Sequence, residues 1–300
     1  MAKFKMDLKK KLKKLDAGAI IAFLIILMYS LCLLYMIWFG LITSLKDNYD
    51  FALDHNVFGL PNWKEYPFSL ENFTNALKNM QLPKTGRAYT TVTEQFINGI
   101  LYALGSAVFS VFMKLLPAYF CAKYKTKFGK LLYAIAVVTM ILPIVGAMAA
   151  TINVMRSLGL FNTYFGVLFY NSSYHGMYFL IFYAAFKGLS DSYSEAARID
   201  GAGHFTVLFK VYLPMVLPSA FAIGILQFIA FWNDYQTPMI YLESMPTISY
   251  GLYRFSMSSY ADNAPALLSA TFIVCVPMIL MFVIFKNKIM GNVTAGGLKG

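Results

Sequence analysis

The chain has 300 residues, of which 59% are hydrophobic and only 13% are charged. Because a soluble globular domain carries about 25% charged residues, this composition excludes an ordinary soluble protein. The formal net charge is +11. A basic surface that binds nucleic acid needs a soluble fold to display it, so we expect no nucleic-acid partner and attribute the excess positive charge to membrane topology.

Six stretches of the sequence lack Asp, Glu, Lys and Arg, and each can hold the roughly 20 residues that a helix needs to cross a bilayer. Transmembrane β-strands alternate polar and apolar residues, which these continuous runs do not. The sequence therefore predicts an all-α membrane protein with six transmembrane helices. They cover residues 17–45, Asn98–Cys121, Leu131–Met155, Tyr174–Leu189, Pro214–Trp232 and Leu267–Phe285.

Basic residues set the predicted orientation. With both termini in the cytoplasm, most of the 25 Lys and Arg residues fall on the inner side, as the positive-inside rule expects. Lys114, near the inner end of the second span, is expected to extend its ammonium group toward the same side. The predicted segments are a basic cytoplasmic N-terminus at 1–16, a first transmembrane helix at 17–45, an extracytoplasmic loop at 46–94, a transmembrane core with segment 190–214 at 95–290 and a cytoplasmic tail at 291–300. The N-terminal lysines are interpreted as a topology anchor, with contact to anionic membrane lipid as the alternative.

Two connections have predicted structure of their own. The long loop at 46–94 is rich in Asn, Pro and aromatic residues, and its residues 69–77 have the capping and spacing of a short amphipathic helix. Polar residues around 171–175 interrupt a long apolar run, so we predict an interfacial helix over Leu160–Tyr170 before the fourth span.

The most informative segment, 190–214, lies on the inner side between the fourth and fifth spans. It contains Glu195-Ala196-Ala197, then Gly201 after three further residues, and it closes with Leu213-Pro214. We predict a compact helix at 195–199, whose alanines let another surface approach closely and which Gly201 ends with a tight turn. Any one of these residues is also typical of an ordinary amphipathic loop helix, but the full spacing favours a docking helix.

This spacing resembles the cytoplasmic coupling signature of permease subunits in ATP-binding-cassette (ABC) importers. Three further segments, 158–164, 231–235 and 294–300, resemble the carbohydrate-uptake permeases of that class. Among them the chain is similar to the smaller, six-helix subunit of the maltose-type family. The resemblance implies the type I ABC importer permease fold.

The resemblance also implies functional residues. An ATPase subunit is expected to dock on Glu195, Ala196, Ala197, Arg198, Asp200 and Gly201, and the tail residues Thr294, Gly296, Gly297 and Lys299 are expected to face the ATPase dimer. The loop at 236–262 matches in position the loop that reaches into the binding protein in that family. Trp232, Asn233, Asp234 and Tyr235 are candidates for the substrate path, because a ring and hydrogen-bonding groups suit a sugar; an interfacial aromatic belt is the alternative.

Partners and cofactors follow from the same resemblance. It implies a heterodimer with a second permease subunit, an ABC ATPase dimer and an extracytoplasmic solute-binding protein, all at a bacterial plasma membrane. The sequence has no Walker A phosphate loop, so we expect ATP and Mg²⁺ on the partner ATPase, and neither a cofactor, a metal nor a catalytic residue on this chain. Three scattered histidines disfavour a membrane enzyme.

A sugar or oligosaccharide is the favoured solute. A non-sugar solute such as an amino acid, or a passive channel that conducts without ATP, is the alternative.

Overall fold

The computed structural model describes residues 17–53, 57–62, 64–65, 70–83, 89–142, 146–260 and 262–295. Within these residues the regular secondary structure is helical, apart from one antiparallel pair of two-residue strands, β1 (Leu82–Pro83) and β2 (Tyr89–Thr90). In this pair Leu82 lies opposite Thr90. Two π-helical turns, Tyr49–Leu53 and Val207–Tyr212, complete the secondary structure. The helical fold class is therefore confirmed for the described residues.

The helices are numbered in chain order. They are α1 (Ala17–Ser44), α2 (Glu71–Asn79), α3 (Val92–Lys123), α4 (Lys127–Ile141), α5 (Met148–Ser157), α6 (Tyr164–Tyr170), α7 (Met177–Gly188), α8 (Ser192–Ile199), α9 (His204–Thr206), α10 (Leu213–Asn233), α11 (Gln236–Tyr241), α12 (Ile248–Ser256) and α13 (Ala264–Ala295). The predicted short helix of the long loop is present as α2. The predicted interfacial helix begins later than expected, at α6, because the Thr163 side chain accepts a hydrogen bond from the Gly166 N–H and caps it there.

Four of the described helical segments are long and apolar enough to cross a membrane. They are Gly18–Ser44, Val92–Lys123, His204–Asn233 and Ala264–Lys286. The other two predicted spans correspond to the shorter helices α4, of 15 residues, and α7, of 12 residues. The count of six spans and the cytoplasmic position of both termini therefore stay predictions.

The third predicted span was wrong as one continuous helix. Helix α4 ends at Ile141, and α5 begins only at Met148. Leu142, which precedes Pro143 in the sequence, has an extended backbone with ψ of 116°. A proline ring clashes with a helical residue before it, so the chain leaves the helix at this position.

The chain divides into two compact units, residues 1–76 with 259–273 and residues 77–258 with 274–300. In the first unit, the end of α1 is fixed by side chains that reach its last carbonyl groups. The Asn72 amide donates to the carbonyl oxygens of Ser44 and Lys46, at 3.1 and 2.7 Å, and the Ser269 hydroxyl donates to the Ser44 oxygen at 3.0 Å. These bonds satisfy carbonyl groups that a helix end leaves without an intrahelical partner.

In the second unit, α3 is the central helix and packs against α7 and α10. It begins at a capping box: the Glu94 N–H donates to the Thr91 hydroxyl at 3.2 Å, and the Thr91 N–H donates to the Glu94 carboxylate at 3.1 Å. The C-terminal half of α3 contributes to an apolar core with α7 and α10. Its buried members include Leu115, Ala118, Tyr119, Phe179, Phe182, Phe186, Val216, Ala220 and Ile223.

A stripe of buried polar side chains also runs along α3 at four-residue spacing, which places them on one face of the helix. Its members are Tyr102, Ser106, Ser110 and Lys114. Asn171 donates to the hydroxyls of Tyr102 and Ser106, at 3.2 and 3.0 Å. Gln227 of α10 donates to the Ser110 hydroxyl at 2.8 Å, and the Lys114 ammonium group donates to it from the adjacent turn at 2.5 Å.

The expected direction of the Lys114 side chain was wrong. Lys114 is only 6% exposed, and its ammonium group bonds to Ser110, one turn back toward the start of α3. Long side chains on a helix lean toward its N-terminus, and Ser110 offers an acceptor in that direction. Local bonding therefore prevails over extension to the membrane surface.

Candidate functional site

The compact helix predicted at 195–199 lies within α8, and the end of α8 has a specific backbone geometry. The Gly201 N–H donates to the Arg198 carbonyl oxygen at 3.0 Å, and the Ala202 N–H donates to the Ala197 oxygen at 2.9 Å. Gly201 itself has φ of +83°. This pair of bonds around a left-handed residue is a Schellman motif, which explains why glycine stands at position 201.

Most of α8 and the turn after it face away from the protein. Glu195, Ala196, Arg198, Asp200 and Gly201 are all exposed, whereas Ala197 packs partly against the core. Two large apolar side chains flank this surface: Ile199 is 87% exposed and Phe205 is 79% exposed. An exposed apolar surface is typical of a site that contacts another molecule, so α8 and the turn after it are a candidate docking surface.

The start of this segment is fixed to the end of α3 by one lysine. The Lys123 ammonium nitrogen lies 2.6 Å from the Leu189 carbonyl oxygen and 2.9 Å from a carboxylate oxygen of Asp191. It also lies 4.7 Å from the centroid of the Tyr212 ring, a cation–π contact. The hydrogen bond from Lys123, together with its charge, lowers the pKa of the Asp191 carboxyl, and the more distant charge of Lys125 acts in the same direction.

The end of the segment also contacts the end of α3. The Tyr124 hydroxyl lies 2.9 Å from Nδ1 of His204, and the Arg198 guanidinium lies 3.5 Å from the same nitrogen. The Tyr212 hydroxyl donates to the Ser190 carbonyl oxygen at 3.3 Å. Sequence reasoning missed Lys123, Tyr124 and His204 as members of this site, because nothing in their local pattern indicates which distant segment they contact.

Trp232, at the end of α10, is enclosed by the protein's own side chains. The residue is only 2% exposed, its indole N–H donates to the Val274 carbonyl oxygen at 3.2 Å, and its ring lies near those of Phe96 and Phe228. The Ser249 hydroxyl donates to the Trp232 carbonyl oxygen. In this structure the indole therefore supports the end of α10 from within.

The three residues that follow Trp232 have different partners. Asn233 is exposed, and its amide donates to the Ile229 carbonyl oxygen at 2.8 Å. One Asp234 oxygen accepts from the Tyr102 hydroxyl at 2.7 Å and the other from the Thr237 N–H at 3.0 Å.

Tyr235 stacks on Tyr253, with ring centroids 4.2 Å apart and planes 13° apart. The four candidate residues of the substrate path are thus adjacent in sequence, but their side chains contact different partners. Of the candidate tail residues, Thr294 lies in the last turn of α13, and Gly296, Gly297 and Lys299 lie outside the described residues.

Comparison with known proteins adds sequence relationships to this geometry. A family model described as "Binding-protein-dependent transport system inner membrane component" matches residues 114–287, which contain the whole of segment 190–214. The chain is 26% identical over 242 residues to the diacetylchitobiose uptake system permease protein NgcG of Streptomyces coelicolor, covering 77% of this chain and 76% of that one. It is 25% identical over 236 residues to the melibiose/raffinose/stachyose import permease protein MelC of Bacillus subtilis, covering 77% and 82%.

The fold also resembles a solved structure. A chain from the crystal structure of a bacterial ABC transporter involved in import of the acidic polysaccharide alginate superposes with a TM-score of 0.70. The match covers 90% of this chain and 95% of that chain, at 22% sequence identity. At this level of identity the likeness concerns the fold alone.

Proposed function

Because the chain belongs to the family of binding-protein-dependent transport system inner membrane components, we propose that it is the permease subunit of an ATP-driven importer for a sugar or oligosaccharide. Relatives that cover most of the chain are named for the import of diacetylchitobiose and of melibiose, raffinose and stachyose. The chain forms part of a gated pathway and performs no bond chemistry of its own.

The observation that carries this proposal is the exposed helix α8, with its Schellman end at Gly201, inside the region matched by the family model. A partner that moves the membrane helices must bind a rigid element, because a flexible one would not transmit the movement. A short helix with a capped end and exposed apolar neighbours meets that requirement. We assign the ATPase contact to Glu195, Ala196, Ala197, Arg198, Asp200 and Gly201. Ala197 supports this surface from beneath, because it packs partly on the core.

The remaining parts of the assembly follow from the same proposal. A second permease subunit completes the pathway as a heterodimer, a dimer of ABC ATPase subunits binds ATP and Mg²⁺, and an extracytoplasmic binding protein delivers the sugar. The chain crosses the bacterial plasma membrane six times with both termini in the cytoplasm. Its tail, with Thr294, Gly296, Gly297 and Lys299, faces the ATPase dimer.

We propose that the sugar meets this subunit at the outer end of α10. Asn233 is exposed there, and Asp234 and Tyr235 are partly exposed beside it. Amide, carboxylate and phenol groups can bond to sugar hydroxyls, while the buried Trp232 holds this end of the helix in place.

The test is transport by the complete complex in liposomes, with the binding protein outside and ATP inside. We expect a sugar to stimulate ATP hydrolysis and to accumulate in the liposomes, whereas stimulation by an amino acid would favour the non-sugar alternative. Glu195→Lys should leave membrane insertion intact and separate ATP hydrolysis from uptake, because it reverses the charge of the ATPase contact.

Glu65→Lys is the matched control, since it makes the same charge change at an exposed position outside both segment 190–214 and the loop at 236–262. If Glu195→Lys and Glu65→Lys both transport at the rate of the unmodified protein, the coupling assignment fails.

A further inference from the structure

Lys123 joins four elements of the fold through one nitrogen atom. Lys123 is the last residue of α3. Its ammonium group donates to the carbonyl oxygen of Leu189, the residue that caps α7, and to Asp191 just before α8. The same group lies over the ring of Tyr212, just before α10. The Lys123 side chain is only 6% exposed, although it stands at a helix end. The described chain therefore places a sheltered ammonium group at the junction between segment 190–214 and the central helices.

We propose that Lys123 is a positioning residue that fastens segment 190–214 to α3 and α7, so that displacement of α8 by the ATPase moves the membrane helices. This inference rests on the proposed function, because it takes α8 to be the surface on which the ATPase acts. Lys123 itself contacts neither ATP nor sugar, and it acts by holding α8 in register with α3.

The chemistry of the site explains why a lysine suits this role. A lysine ammonium group has three N–H donors on one compact charge. The carbonyl groups at the end of a helix lack intrahelical partners and carry partial negative charge, so a cation at the end of α7 is favourable. Asp191 then supplies a full negative charge from the other side, and hydrogen bonds between charged groups are stronger than neutral ones.

The neighbouring Lys125 carries the same charge as Lys123 but differs in burial and in its distance from Asp191. Its ammonium lies 3.9 Å from the other Asp191 oxygen, and its side chain is 89% exposed. Water screens an ion pair of this kind, so Lys125 holds Asp191 weakly. Lys125→Ala is therefore a matched control: it removes the same charge two positions away and leaves the sheltered contacts intact.

The experiment compares sugar uptake and ATP hydrolysis in liposomes that contain the complete complex. For Lys123→Ala we expect the amount of sugar imported per ATP hydrolysed to fall about fivefold or more, the lower end of typical coupling between sites. Lys125→Ala should keep the ratio of the unmodified complex, and Lys123→Arg should restore much of it because it retains the charge and donors. A normal ratio for Lys123→Ala overturns the proposal, as does a ratio for Lys125→Ala that falls equally.

Lys123→Gln keeps the proposal testable if Lys123→Ala fails to assemble. It retains a donor for the Leu189 carbonyl and loses the charge toward Asp191 and Tyr212, so we again expect a reduced ratio; an unchanged ratio would refute the fastening role. Failure of the proposed function looks different, since the unmodified complex would then show no sugar-stimulated hydrolysis.

Discussion

Gly201→Ala should loosen the end of α8 by an amount that its geometry sets. Gly201 has φ of +83°, and a Cβ atom added there would meet no other atom within 4 Å. The whole effect therefore comes from the backbone, where an L-residue with a side chain in the left-handed region costs roughly 1–2 kcal/mol. A penalty of that size changes the ratio of closed to open conformations by about 5- to 30-fold.

Hydrogen exchange of the assembled complex measures this change directly. The Ala202 amide, which bonds the Ala197 carbonyl oxygen at 2.9 Å, should lose about 5- to 30-fold of its protection in Gly201→Ala. Under the proposed coupling role of α8, sugar uptake per ATP should fall with it, because α8 then spends less time in the geometry proposed to contact the ATPase.

Gly203→Ala is the matched control for this prediction. Gly203 also has open space around its Cβ position, but its φ is −73°, which alanine adopts without strain. Equal protection of the Ala202 amide in the Gly201→Ala and Gly203→Ala proteins would show that left-handed geometry at position 201 does not stabilise the helix end, and would refute the reasoning.

Three further predictions concern stability of the purified protein. Thr91→Ala removes the capping box of α3 and should cost about 1 kcal/mol, seen as a lower thermal midpoint in detergent. Gly166→Ala places a Cβ atom 1.9 Å from the Leu160 carbonyl oxygen, so the backbone must shift at a cost of roughly 1–3 kcal/mol, seen as a lower midpoint and reduced folded yield. Lys123 depresses the pKa of Asp191 below its ordinary 3.8, so their bridge contributes fully above that value and is lost as the pH falls through the lower folded-state pKa. The thermal midpoint of Asp191→Asn should therefore be lower than that of the unmodified protein near neutral pH, and the difference should vanish in strong acid.

Each of these predictions has its own control. Thr93→Ala alters an exposed threonine in the first turn of the same helix and should leave the midpoint nearly unchanged, so an equal loss in both threonine variants would contradict the capping argument. Gly188→Ala adds a methyl group in open space at the end of α7, and a similar loss there would contradict the steric argument. A midpoint difference for Asp191→Asn that is the same at neutral and strongly acid pH would contradict the ionic argument.

The sequence predicted those elements whose physical signal is local. A long charge-free run predicted the first helix at 17–45, and the structure has it at Ala17–Ser44. Pro214–Trp232 was predicted for α10, which spans Leu213–Asn233. Gly201 indicated the end of α8 because a left-handed turn is a property of one residue and its neighbours.

The sequence did not predict features that depend on distant packing. Lys123 bonds Leu189, 66 residues away, and Tyr124 bonds His204, 80 residues away, so their roles emerge only when three helix ends meet. The direction of the Lys114 side chain was also mispredicted: its bond to Ser110 is local, but its burial depends on packing against other helices. The break after Ile141 did have a local signal in Pro143, but a proline within an apolar run indicates a kink as readily as an end.

The polar stripe of α3 limits how this protein can change shape. Sliding α3 past α10 by one helical turn would carry Ser110 about 5.4 Å from Gln227, beyond the reach of their hydrogen bond. Hydrocarbon offers no water to replace a lost partner, so the unpaired groups would strongly oppose such a slip. Tilting α3 and α10 together keeps this hydrogen bond, whereas an axial slip between them breaks it.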